Sequence, residues 1–189
     1  PEEYYENEGT KKDVNAFFMA AWKVTNQLSL SGNVQYRHVM FDYEDYTDKT
    51  ASFNPDALGT VWNFVNFGAN AEYTPVKSLK LYAAFNYVNR EPTRSDMFGG
   101  NENYIGELAT IRYEAAKDCE LGAVYAPGNH LNVEANLFYM WFSNELVLNG
   151  EYGMNGLPCH DNAESSFRRG IEASVQWNFV SNLHLTGST

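Results

Sequence analysis

"LSLSGNVQYR", residues 28–37, alternates without a break. Leu28, Leu30, Val34 and Tyr36 fall in one row, with Gly32 among them. Ser29, Ser31, Asn33, Gln35 and Arg37 fall in the other. Successive side chains of an extended strand point to opposite faces, so a period of two predicts a strand with one apolar and one strongly polar face. The fold turns on what the apolar row touches: the core of a soluble protein, or lipid.

Composition narrows the choice. The 189 residues suffice for one domain, and 15% are aromatic, with 13 Tyr, 12 Phe and 4 Trp, too many for a disordered chain. The mean hydropathy is -0.46, and the sequence has no run of 18 apolar residues. A membrane-spanning helix is therefore excluded. A membrane strand is not, because it needs only ~9–11 residues with every second one apolar. Acids outnumber bases 24 to 13, for a net charge of -11. The largest basic clusters are the dyads Lys11-Lys12 and Arg168-Arg169, which speaks against nucleic acid as a partner. No serine elbow, phosphate loop or zinc-protease helix motif occurs, so neither an enzyme nor a cofactor is expected.

A repeat is hidden in the turns. Short connections lie at 23–27, 74–78, 126–130 and 180–184, and Asn26, Val76, Gly128 and Asn182 in them are 50, 52 and 54 residues apart. Between them run three long polar or Gly-rich stretches, about 42–59, 90–117 and 148–165. Eight strands follow, at about 14–23, 28–41, 60–73, 79–90, 118–125, 131–146, 167–179 and from 183 onward. Every second connection is short. In an antiparallel up-and-down sheet all short turns then share one end and all long loops the other, the sorting found in outer-membrane barrels. Trp22, Tyr73, Tyr125 and Trp177 each precede a short turn, 51, 52 and 52 residues apart, and Tyr36, Tyr87 and Tyr139 form a second set 51 and 52 apart. Aromatics at common levels on the apolar side make interfacial girdles.

The opposite row carries Asn66, Asn70, Glu72, Lys80, Asn86, Arg90, Asn132, Glu134, Asn136, Glu172, Ser174, Gln176 and Asn178. Amides and Ser dominating over Lys and Glu suit a hydrated lumen better than a solvent-facing sheet. The apolar row is accordingly predicted to face lipid.

"LKLYAAFNYVNREPTRSDMF" at 79–98, "IRYEAAKDCELGAVY" at 111–125, "NLFYMWFSNELVL" at 136–148 and "SFRRGIEASVQWNF" at 166–179 resemble consecutive barrel strands of TonB-dependent outer-membrane receptors of the Bacteroidetes type. That resemblance implies an all-β, antiparallel fold: residues 1–189 as an eight-stranded interior segment of a 22-stranded transmembrane barrel, with the plug domain and TonB-contacting segment absent from the chain. It implies energy-coupled uptake of a bulky nutrient across the bacterial outer membrane, a ferric siderophore first. Its partners would be the lipid bilayer, the TonB complex through the missing N-terminal region, and the small-molecule nutrient. Two other classes stay open at this point: a complete small outer-membrane barrel, structural or enzymatic, and a soluble β-sandwich binding module.

Candidate ligand contacts are Arg90 and Arg94 in "REPTRSD", 90–96, because the guanidinium fork suits anionic complexes. Pairing of Arg90 with a lumen carboxylate is the competing role. Tyr43 and Tyr46 in "FDYEDYTDKT", 41–50, would line an entry vestibule. "CHD" at 159–161 is read as loop, since adjacent residues rarely give metal geometry, and no metal is expected. A Cys119–Cys159 bridge would close about 40 residues and stabilise by roughly 3–4 kcal/mol. Against it, Cys119 shares its row with Leu121, toward lipid.

Overall fold

The computed structural model describes residues 7–45, 57–98, 111–153, 156–180 and 183–189. Its strands are β1 (Asn7–Lys23), β2 (Leu28–Asp45), β3 (Ala57–Val76), β4 (Leu79–Arg90), β5 (Glu114–Gly128), β6 (Leu131–Tyr152), β7 (Pro158–Val180) and β8 (Leu183–Ser188). They form a single antiparallel sheet in chain order, β1 and β8 at its margins. One five-residue helix, α1 (Arg94–Phe98), follows β4. Among the described residues, the expected eight antiparallel strands and near absence of helix are what the chain forms.

Ladder pairs in a sheet share a face, so the register decides where each row lies. Trp22, Leu30, Ala71, Ala83, Leu121, Leu137 and Ile171 are successive partners across seven strands. The same parity puts Phe18, Val65, Leu81 and Val175 on that face. The larger side chains of the set are exposed, from 38% at Leu30 to 70% at Ile171. Among the described residues the buried hydrophobic ones are few, and several sit on the other face: Val39, Phe41, Tyr43, Phe64 and Phe142. A soluble sandwich would bury the continuous apolar face; this sheet presents it outward.

On the polar face the sheet is closely packed where glycines admit large rings. A Cβ at Gly122 would meet the Tyr82 ring at 2.1 Å, and one at Gly170 would meet Phe138 at 2.7 Å. Each aromatic thus lies flat over the neighbouring strand instead of filling the lumen.

One expectation needs correction. The stretch 148–165 is not a loop: β6 runs to Tyr152 and β7 begins at Pro158. Asn144 takes a left-handed φ of 53° within β6, a conformation Asn tolerates, and the next residue, Glu145, is buried beside Ser166 and Arg168 on the polar face. Cys159 therefore belongs to a strand. Both cysteines are free. Cys119 is level with Arg169 through Tyr139, and Cys159 is ten residues further along β7, roughly 30 Å at ~3.3 Å per residue.

Candidate functional site

The β2–β3 ladder continues to Glu44↔Ala57, but β3 and β4 pair only from Val76↔Leu79 to Phe67↔Tyr87. Above that point the two strands part, and side-chain amides replace the lapsed backbone ladder. The Asn89 N–H donates to Asn66 Oδ1 at 2.8 Å, and Asn89 Nδ2 donates to the Val65 carbonyl at 3.1 Å. Asn66 Nδ2 in turn donates to Gln35 Oε1 at 3.1 Å. Asn66 and Asn89 are 8% and 6% exposed. Buried amides of this kind are tolerated because their hydrogen bonds are made.

The parting lets the chain leaving β4 fold back over the polar face. Pro92 stiffens the exit, and Thr93 caps α1. The Asp96 N–H donates to Thr93 Oγ1 (3.2 Å) and the Thr93 N–H donates to Asp96 Oδ2 (2.8 Å), a reciprocal capping box. The helix delivers Met97, 5% exposed, onto Phe41 and Tyr43 of β2, with Trp62 of β3 packed alongside. It also approaches β7.

Ion pairs fasten the same segment. Glu91, with 8% of its side chain exposed, accepts from Lys11 Nζ at 2.6 Å. Arg37 grips its two oxygens from NH1 and NH2, each at 3.1 Å, and also pairs with Asp13. Burial works against ionisation of Glu91, but the Lys11 ammonium, a backbone N–H and the Arg37 fork prevail and hold its pKa at about 2. Arg90 Nε donates to Glu114 Oε1 at 2.7 Å, and its NH1 lies 3.5 Å from Asp96. Glu114 also accepts the Leu146 N–H at 3.2 Å. A cavity of about 260 Å³ remains beside the segment, lined by Lys11, Trp62, Arg90, Glu91, Arg94 and Met97 among others.

Lower on the polar face, Tyr82, Glu134, Asn136, Glu172 and Ser174 line a second cavity of about 330 Å³. Asn136 Nδ2 reaches Glu120 at 3.4 Å. Among the described residues the wall is thus ion-paired near the long-loop end and acidic below. No cluster there could hold a metal ion.

Arg90 and Arg94 line one cavity, as neighbouring positions in one segment. Tyr43 does not reach it: the ring is 1% exposed beneath Met97. Tyr46 lies outside the described residues. Sequence reasoning missed Lys11, Arg37 and Glu91, whose meeting spans 80 residues of chain and leaves no local signal.

A family model for "TonB dependent receptor-like, beta-barrel" matches residues 1–189. The chain belongs to that family. Receptor barrels of this family lie in the bacterial outer membrane, so the apolar face of this receptor segment is its lipid face and the polar face its lumen. No curated protein matches the chain. Among solved structures it is similar to the copper transporter OprC, with 16% identity and a TM-score of 0.77 over 95% of this chain and 28% of that one. It is also similar to the ferric-catecholate import receptor Fiu from K12 E. coli, with 14% identity and a TM-score of 0.67 over 97% and 28%. The ferric yersiniabactin uptake receptor FyuA from Yersinia pestis gives 16% and 0.66 over 97% and 28%. The receptor segment thus spans under a third of the length of these structures.

Proposed function

We propose that the chain forms part of the wall and mouth of an outer-membrane receptor for energy-coupled, TonB-dependent uptake of a bulky nutrient, a ferric siderophore or similar iron complex. The plug and the TonB-contacting segment would belong to the rest of the receptor. The observation that carries the reading is the infolded 90–98 segment with its cationic pocket on a polar lumen wall. The iron-complex receptors among the structural neighbours support the substrate class. Arg94, exposed at the cavity, is the proposed ligand contact. Arg90, held by Glu114, shapes the pocket.

Cells whose full-length receptor is deleted should lose uptake of radioactive iron supplied as a siderophore complex, and regain it with the receptor only when the proton-motive force is intact. Arg94→Ala should weaken binding of an anionic complex about tenfold, the worth of one charge-assisted hydrogen bond. Undiminished uptake in the deletion across a panel of iron complexes, or uptake insensitive to collapse of the proton gradient, refutes the reading.

A further inference from the structure

The cavity beside the infolded segment combines two chemistries. Its walls are apolar: Phe41 and Trp62 come from the sheet, Pro92 and Met97 from the segment. The slot therefore exists only while the segment is folded in. Of the charged groups lining it among the described residues, Lys11, Arg90 and Arg94 are cations and Glu91 alone is an anion. That carboxylate is 8% exposed and already answers Lys11 and Arg37. The cations are less enclosed. Lys11 and Arg90 are 50% and 44% exposed, and Arg94 is exposed too. The Lys11 ammonium has three N–H donors and gives one to Glu91. A ligand entering here meets hydrocarbon inside and positive charge around the opening.

Volume and shape narrow the class. An apolar cavity of about 150 Å³ holds a benzene ring, whereas complete small-molecule sites run to about 300–1,000 Å³. At about 260 Å³ the slot takes one substituted ring and leaves the rest of a bulky ligand outside. An aliphatic chain would gain equally from burial, since that term follows area alone. Trp62, Phe41 and the Met97 sulfur favour a ring, through offset or edge-on aromatic contacts and a sulfur–aromatic contact. We infer that the cavity seats one aryl arm of the transported iron complex, a catecholate or phenolate ring packed on Trp62, with its anionic oxygens held at the opening by Lys11 and Arg94. This rests on the iron-complex reading and goes further, because that reading asks only for an anionic complex.

The test uses the full-length receptor in mild detergent, with tryptophan fluorescence and titration calorimetry as readouts. Three ferric complexes separate ring from charge. The enterobactin complex has catecholate rings and negative charge, ferric citrate has negative charge without rings, and ferric desferrioxamine B has neither. The catecholate complex should bind about tenfold or more tighter than ferric citrate, and ferric desferrioxamine B should bind weakest. Trp62→Ala should weaken the catecholate complex about tenfold and ferric citrate less than about twofold, while Trp62→Phe should stay within about threefold of wild type for both. Equal binding of catecholate and citrate by wild type, or a Trp62→Ala loss shared equally by the two, overturns the inference and leaves the iron-complex reading standing. Binding of none of the three overturns the inference as well, and uptake in cells lacking the receptor then shows whether the iron-complex reading falls with it. The wild-type comparison among probes decides even where a variant fails to assemble.

Discussion

Glu91→Gln should release residues 91–97 from the lumen wall at a cost of roughly 2–3 kcal/mol. A carboxylate with 8% of its side chain exposed then no longer answers Lys11 and Arg37. Losing one member of a buried ionic cluster costs about 3–5 kcal/mol, and Lys11, 50% exposed, recovers part of that through water. Acid should act in the same direction. Glu91 titrates at about 2 against an ordinary value of 4.5. A depressed carboxylate contributes stability that is full above the ordinary value and is lost as pH falls through the lowered one. The window is therefore about pH 4.5 down to 2, worth about 3 kcal/mol at ~1.4 kcal/mol per pH unit. Hydrogen exchange of residues 91–97 in the full-length receptor reads this out. Wild type should lose protection across that window, while Glu91→Gln should already lack it at neutral pH. Equal protection of both proteins at neutral pH would show that Met97 and its aromatic bed hold the segment without the ion pairs.

Leu137→Arg should be at least as damaging, for a different reason. Leu137 is 51% exposed on the lipid face, between the two aromatic levels. A cation at the bilayer midplane costs about 2–4 kcal/mol on a barrel's outer face. Ser174→Arg, three residues along β7 from Ile171, the partner of Leu137, is the control: it faces the lumen beside Glu134 and Glu172 and should change stability by about 0.5 kcal/mol or less. Urea unfolding of the full-length receptor in bilayers measures both. Equal costs for the two would mean that the faces are assigned the wrong way round.

The strands were legible because lipid enforces a strict period of two between Trp22 and Tyr36, and again in each later repeat. Where neither face meets lipid the signal lapses. "CHDNAESS" at 159–166 is polar on both sides, reads as loop, and is strand in β7 because the partner β6 supplies its backbone hydrogen bonds. The helix after β4 had a readable cap in Thr93 and Asp96, hidden inside a charge-rich stretch. Tyr43 read as a vestibule residue because acids surround it, yet its parity continues the Val39–Phe41 row into the lumen, where Met97 covers it. The Glu91 cluster had no local mark: each member is an ordinary charge until β1 through β4 are assembled in order.

The clasp between Glu91 and Lys11 also sets an order of events. The β1–β2 and β3–β4 hairpins close through turns of four and two residues, whereas the clasp joins positions 80 apart in the chain. Local pairs form first because their loop-closure entropy is small, and distant pairs wait for the intervening chain to be organised. Lys11 and Arg37 can offer Glu91 a common seat only once β1 through β4 are in register. The segment therefore latches as a record that four strands have been threaded correctly, and a register slip in any of them, which turns every side chain to the wrong side, would leave the latch open and the strand exits accessible to proteases.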